Sequence, residues 1–509
     1  MEPEELQQHY DVIVVGGGSA GCVAASRLSE DPRRSVLLIE AGPDPQPIPD
    51  IVANGAWATQ LLLESPYVMM YPTIRKGDGS TFYNLAGRIT GGGSSVNAMS
   101  AVRPTKYDFD TWVSQGCSDW SYDACLPVLK RIEADQDYPD SPIHGPNGPL
   151  YVKRPFTLDM DSSEPVQAFM DQARATGLPS CDDLNGPAPF GVCSSPYNIK
   201  EGVRQSTNVA YLGPARRRPN LHIVDEALVQ SLKIVGNRVD RVTYTRDQQT
   251  HTVAGDQVVL TAGVYHSPQL LMLSGIGPAK ELERLGIHVL HELDGVGENY
   301  QDHSSVVMTF EGRGNFRSDW VIPRFRLMTK SDPSRPSPDF HIFMRPPTQI
   351  EGIDRTMASF SLHLLEQRDR GRIYLKTADP ADLPEIDDVM LQHPGDIAAM
   401  TASMQFVYDL VQSDGMKPYC GALLQPGPRD DWAAFARSTQ TSYHHGVGTC
   451  KMGRSSDRMA VVDQNLRVHG MENLWVADAS IMPTVTHANT NLTTIMIGER
   501  ASDFIRQAD

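Results

Sequence analysis

Two histidines stand side by side in "TSYHHGVGTC", Thr441 to Cys450. Imidazole takes and returns a proton near neutrality, so His444 or His445 could act as a general base, and either could equally be a satisfied structural residue. Tyr443, Val447 and Thr449 favour extended backbone, in which successive side chains point to opposite faces. That alternation predicts His445 on one face with Tyr443 and Val447, and His444 on the other with Ser442. Only one imidazole then reaches a common site. A metal centre built from His444, His445 and Cys450 is not expected, because diverging neighbours leave too few ligands. Downstream, Asp478 to Gln507 becomes helical after Asn491. There Asn489 reads as a turn residue, Asn491 as an N-cap candidate and His487 as a competitor for a second catalytic role.

A second chemistry is phosphate binding. "YDVIVVGGGSAGCVAASRLSEDPRRSVLLIEAG" runs from an apolar stretch, Val12 to Val15, through three glycines and an Ala-rich segment to a second apolar stretch, Val36 to Ile39. That pattern predicts strand, turn, helix, strand. Gly16, Gly18 and Gly21 fit G-x-G-x-x-G: one glycine for the turn, one for close approach of a pyrophosphate, one for helix packing. The helix amino terminus, at Ser19 and Ala20, would face the phosphates. Glu40, followed by Ala41, ends the second strand where a carboxylate can accept from a ribose hydroxyl. The motif leaves FAD and NAD undivided. Further on, Gly91-Gly92-Gly93-Ser94-Ser95 is too rich in glycine for a helix interior and suits a loop whose N–H groups close on an anion or planar ring.

Composition limits the partners. A chain of 509 residues predicts two domains or one elaborated domain, and 40% hydrophobic with 21% charged residues is globular. The formal charge of −17 argues against nucleic acid or an anionic membrane as partner, both of which need a basic footprint. No apolar run approaches the roughly 20 residues that span a bilayer, and the acidic start is unlike a targeting peptide. Seven scattered cysteines without C-x-x-C suggest free thiols in a reducing compartment, so a cytoplasmic location is expected.

The sequence resembles the glucose-methanol-choline (GMC) family of FAD-dependent oxidoreductases. Its first signature is matched by Gly87, Arg88, Gly91, Gly92, Gly93, Ser94, Val96 and Asn97, with Pro104 and Asp110 closing it; Thr90 departs from the pattern. The second is matched by Gly263, Ser267, Pro268, Leu270, Leu271, Ser274, Gly275, Ile276 and Gly277, with Val264 departing. "HGPNGPL", "PNLHIV", "GVGENYQDH", "HHGVGTCKMG" and "LWVADASIMPT" resemble family landmarks in family order, Tyr300 standing where Leu is common. The resemblance implies an α/β fold, α+β overall: a discontinuous Rossmann-like FAD domain (1–150, 200–305 and 435–509) and an interwoven substrate domain (151–199 and 306–434) of antiparallel sheet plus helices. Alternating residues around turn signals from Val239 to Gly263 independently predict antiparallel hairpins.

The resemblance also assigns roles. The family's catalytic His directly precedes a Gly or Pro, which carries that role to His445, and an ungapped reading from Asp478 places the second catalytic residue at Asn489. FAD would be held by Gly16, Gly18, Ser19, Ala20, Gly21, Glu40, Ala41, Arg88, Gly92, Gly93, Ser95, Asn97, Ala98, Val229, Ala262, Asp478, Ala479, Asn489 and Thr490. Some members attach FAD through a His just before the signature Asn; Val96 there implies noncovalent FAD. The implied reaction oxidises an alcohol: His445 takes the hydroxyl proton, hydride passes to the flavin, and the helix near Leu492 directs its positive end at the ring. Oxygen, or a quinone or artificial acceptor, would reoxidise the flavin. Asn489, where glucose oxidases carry His, favours a primary aliphatic or aromatic alcohol over a sugar or secondary alcohol. A hydroxynitrile lyase with structural FAD, a fatty-acid photodecarboxylase and a non-catalytic FAD protein are the readings of another class. A quaternary ammonium substrate would want an aromatic and carboxylate cage, for which Trp320, Phe340, Phe343, Phe360 and Glu366 are candidates. A monomer or homodimer is expected.

Overall fold

The fold was analysed in a computed structural model, which describes residues 6–508 except 58–60, 62–64, 157, 159–163, 314–322, 346–347, 350–355 and 428–430. Trp320 lies outside the described residues. Two large sheets organise the rest. In the first, of seven strands, His9–Val15 pairs in parallel with Val36–Ile39 and with the second half of Gln249–Leu260. Leu221–Val224 and Leu474–Val476 extend the parallel part. All four residues of Val36–Ile39 are buried, as a parallel strand covered on both faces requires. The Arg238–Arg246 strand is antiparallel to both Leu228–Val235 and the first half of Gln249–Leu260, so the predicted hairpins form.

The helix Ser19–Leu28 follows the first strand and packs against the carboxyl-terminal helix Thr490–Ala508. A Cβ on Gly498 would lie 2.8 Å from the Ala20 carbonyl oxygen, so the two backbones meet where a side chain has no room. Across that seam Arg27 donates to the buried Glu499 carboxylate at 2.8 Å. The last helix begins at Thr490, slightly earlier than the sequence pattern suggests.

The second sheet has nine strands, in the order Cys420–Gln425, Ser304–Gly312, Thr356–Leu364, Phe340–Met344, Phe325–Thr329, Gly191–Ser194 and Ser180–Cys181, with two short strands paired off this path. Its side chains separate by period two. Met308, Phe310, Ile342, Phe360 and Leu362 join a hydrophobic core with the helices Glu164–Ala175 and Pro394–Val411. Ser305, Val307, Arg326, Phe343, Ser361 and His363 take the opposite face and line a cavity between the two sheets. Among the described residues no helix is long and apolar enough to cross a membrane.

The "HGPNGPL" turn is fixed elsewhere. His144 bonds Glu133 at 2.8 Å and Asp183 at 2.9 Å, and Arg103 and Arg154 complete the buried cluster. Burial opposes the charge on His144, but the Asp135, Asp183 and Glu133 carboxylates outweigh it and raise its pKa to about 10. Imidazolium and guanidinium thus supply the counter-charge that these three acids would otherwise seek from a metal.

Candidate active site

The cavity measures about 860 Å³, within the range of sites that bury large ligands. At one end its wall is main chain. Gly16 has φ +102°, and a Cβ there would lie 2.6 Å from the Thr261 carbonyl oxygen, so the turn admits only glycine. The second glycine loop docks on the first: Gly91 N–H donates to the Gly17 carbonyl at 2.7 Å, and a Cβ on Gly92 would lie 2.8 Å from Gly18 Cα. Glu40 ties this end together, accepting from Gly17 N–H at 2.6 Å and from Gly42 N–H at 2.7 Å. The last helix points its amino terminus into the same space, where Thr490, Asn491 and Thr494 line it and Ser19 Oγ donates to Asn491 Oδ1 at 2.8 Å.

The structure brings nearly all the expected cofactor residues to this cavity. Gly16, Gly18, Ser19, Ala20, Glu40, Ala41, Arg88, Gly92, Gly93, Asn97, Ala98, Val229, Ala262, Asp478, Ala479, Asn489 and Thr490 line it. Two do not. Gly21 sits behind the wall, where a Cβ would lie 1.9 Å from the Gly16 carbonyl oxygen, so it serves helix packing. Ser95 is buried with its hydroxyl donated to the Thr90 carbonyl at 2.8 Å, bracing its own loop from within.

The other end is built from side chains. The strand before the two histidines ends at Ser442, and His444 adopts φ +62° with its N–H donated to Ser442 Oγ at 2.7 Å. This left-handed residue breaks the expected alternation. Both imidazoles line the one cavity, and His444 Nδ1 accepts from Leu85 N–H at 3.3 Å. Burial alone takes the His444 pKa down to about 4.

Neighbours that the sequence did not reveal fix His445. His303 Nε2 lies 2.9 Å from the Thr486 carbonyl, which can only accept, so Nε2 carries the His303 proton. Burial holds that ring neutral, with its pKa down to about 3, and leaves Nδ1 as an acceptor. His445 Nδ1, 2.9 Å away, is therefore the donor, and His445 Nε2 carries no proton and accepts from the cavity side. Beside it stands Asn489 Nδ2 at 3.2 Å; its amide is oriented by Arg326 Nη1, which donates to Oδ1 at 2.7 Å. Enclosure, then the fields of His303 and His444, hold the His445 pKa well below the usual imidazole value. The buried Asp302 carboxylate accepts from the backbone N–H of His303 at 2.6 Å and of His445 at 3.0 Å, aligning both rings. His487 turns to Asp108, 2.6 Å from Nδ1, and does not line the cavity.

Two departures from the family pattern, Val264 in the second signature and Tyr300 in a landmark, meet at Gly446. A Cβ there would lie 3.0 Å from Tyr300 Cε2 and 3.1 Å from Val264 Cγ1, so both larger residues pack on the glycine that follows His445. Nothing in the structure explains Thr90, whose buried hydroxyl makes no hydrogen bond. The ammonium cage does not assemble among the described residues. Phe340 and Phe360 join the core, Glu366 pairs with Arg335, and only Phe343 reaches the cavity.

Residues 10–305 match the amino-terminal model, and residues 367–498 the carboxyl-terminal model, of the family described as GMC oxidoreductase. This chain belongs to the GMC oxidoreductase family. The mitochondrial choline dehydrogenase of Homo sapiens is 35% identical across 99% of this chain and 90% of its own length. The 5-(hydroxymethyl)furfural oxidase of a Methylovorus species is 35% identical across 97% of this chain and 98% of its own. Among solved structures, pyridoxine 4-oxidase from Mesorbium loti superposes with TM-score 0.90 at 31% identity, covering 98% of this chain and 99% of that one. This GMC protein is an FAD-dependent oxidoreductase acting on alcohols, and its backbone-walled cavity suits a dinucleotide with a planar ring.

Proposed function

We propose that the protein oxidises a primary alcohol to an aldehyde, with His445 as general base and Asn489 as the group that fixes the alcohol oxygen. The observation that carries this reading is the unprotonated Nε2 of His445, which accepts from the Asn489 amide inside the cavity, a bond that an alcohol hydroxyl would replace. A hydroxyl entering between them donates to Nε2 and accepts from Asn489 Nδ2, because Arg326 already occupies Oδ1. As Nε2 takes the proton, the Nδ1–H of His445 strengthens its bond to His303, whose lone pair faces the new charge. A base with a depressed pKa holds the proton weakly, so the proton returns readily once the aldehyde leaves. FAD bound in this cavity supplies the acceptor for the carbinol hydrogen and its two electrons.

The glycine loops, Glu40 and the amino terminus of the last helix would hold the cofactor, and Gly21 and Ser95 would act indirectly by shaping the loops. Noncovalent attachment follows from Val96, an alkyl side chain at the position where attachment needs an imidazole. We place the FAD domain in residues 1–150, 200–305 and 435–509 and the substrate domain in 151–199 and 306–434. Oxygen is the proposed acceptor, in keeping with the two oxidases among the relatives above. Seven free thiols, six of them buried, fit a reducing, cytoplasmic setting. The test is anaerobic flavin bleaching across a panel of alcohols, then reoxidation by oxygen or a quinone. A flavin that no alcohol bleaches would sink the proposal and favour a lyase with structural FAD.

A further inference from the structure

The sheet wall of the cavity is charged with one sign. Cross-strand register sets Val307, Ser361 and Phe343 in one row, with Arg326 beside Phe343; Arg345 lies one pleat further out. Arg326 is occupied by Ser195, Ser100 and Asn489. Arg345 is not. Its backbone N–H donates to the Ser359 carbonyl at 2.8 Å, yet among the described residues its guanidinium makes no hydrogen bond or ion pair, although it lines the cavity. Arg345 is exposed, yet partial desolvation lowers its pKa, and among the described residues no carboxylate offsets that.

The three acids that line the cavity belong to other walls. Glu40 holds Gly17 and Gly42, Asp478 holds Gly263 and Ser267, and Asp382 holds Thr377. In a chain of formal charge −17, a cavity wall bearing two arginines and, among the described residues, no acid is a local reversal. An exposed guanidinium that lines the cavity, with no partner among the described residues, offers a site for an anion, and its planar fork matches a carboxylate.

Between Arg345 and the catalytic pair stands a column of stacked rings. Tyr443 stacks on His363 at 3.6 Å between centroids, and His363 on Phe343 at 5.1 Å. His363 pairs across the sheet with His341, four residues before Arg345, or about 13 Å along the strand, which a long arginine side chain shortens. We infer that Arg345 selects an anionic substrate, an aryl-methanol whose ring carries a carboxylate remote from the carbinol. The carbinol lies at His445 and Asn489, the ring against Phe343 at the end of that column, and the carboxylate on Arg345. A short 2-hydroxy acid does not span the distance, and a quaternary ammonium meets the wrong charge. The inference rests on the alcohol-oxidation reading above.

The test compares 4-(hydroxymethyl)benzoate with its methyl ester in anaerobic flavin reduction by the FAD-loaded enzyme, with Arg345→Gln and Arg345→Lys. The acid should be preferred. Arg345→Gln should lower kcat/KM for the acid by about 10- to 100-fold, mostly through KM, while changing the ester less than about threefold, and Arg345→Lys should restore part of the loss. Equal rates for acid and ester, or equal losses in Arg345→Gln, overturn the inference without touching alcohol oxidation. If neither compound bleaches the flavin, the functional reading fails on this pair, and benzoate binding by equilibrium dialysis decides Arg345 separately. Binding that Arg345→Gln weakens supports the anion site; absent or unchanged binding rejects it.

Discussion

The two ends of the cavity are made of different material. At the dinucleotide end the wall is backbone: the glycine loops, the start of the last helix, and Glu40, whose oxygens are tied to main-chain N–H groups. At the reacting end the wall is side chains, His445, Asn489 and Arg326, with His303 behind His445 and each joined to its neighbour by a hydrogen bond. A backbone wall tolerates almost no added atom yet asks little of side-chain chemistry. A side-chain relay tolerates conservative changes of bulk but fails when one donor or acceptor is lost. Substitutions at the first end should therefore cost cofactor and fold, and substitutions at the second should cost rate.

The sharpest challenge to that contrast is His445→Ala. Flavin reduction by alcohol should fall by about 10³- to 10⁴-fold while FAD stays bound, read by stopped-flow absorbance on purified enzyme. Loss of flavin instead would erase the distinction. At the opposite end Gly21→Ala should cost about 1–3 kcal/mol and release FAD, because its Cβ would lie 1.9 Å from the Gly16 carbonyl oxygen. Thermal midpoint and the flavin-to-protein absorbance ratio report it. His303→Ala removes the acceptor behind His445 and the donor to the Thr486 carbonyl, so reduction should slow by about 10- to 100-fold with FAD retained.

A milder test is acidity. His303, His341, His363, His444 and His445 all have pKa values depressed chiefly by burial, so below about 6.5 the unfolded chain binds more protons than the folded one. Stability should fall by about 1 kcal/mol or more per pH unit as pH drops from there. His144 and His487 have raised pKa values, so their contributions are present below about 6.5 and lost as pH rises through the folded values; buried Asp302 and Asp388, raised to about 6 and about 7, take protons in the folded chain first as pH falls, and all four soften the trend. Thermal midpoints from pH 7 to pH 5 measure the net slope. The smallest effect is expected from His444→Ala, about two- to fivefold in rate, since its Nδ1 reaches a backbone amide and not the relay. A loss rivalling that of His445→Ala would make the pair equals.

Much of the backbone end could be read in the chain, because turn glycines and a strand-terminal acid act within one βαβ unit. Gly16, Gly18 and Glu40 needed no distant residue to declare themselves, whereas Ser95 was misplaced: its hydroxyl chooses the Thr90 carbonyl within its own loop over the cavity. The polar face of the second sheet was also visible in principle. Ser305, Ser361, His363 and Arg326 alternate with core residues, though alternation names a face and not what it looks upon.

His444 is the clearest miss. A rule of extended geometry placed it away from His445, and one left-handed residue anchored on Ser442 set both rings in the same cavity.

What the sequence by itself determined was the dinucleotide turn, the GMC resemblance, and the nomination of His445 and Asn489, all carried by local spacing or by landmarks in order. What only the tertiary structure decided was which nitrogen of His445 is unprotonated, which way the Asn489 amide faces, and that Arg345 lines the cavity with no partner among the described residues. Those facts depend on hydrogen bonds between residues as far apart as His303 and His445 or Arg326 and Asn489. A proton's position is set by the geometry of its neighbours, and those neighbours meet only when the chain has folded.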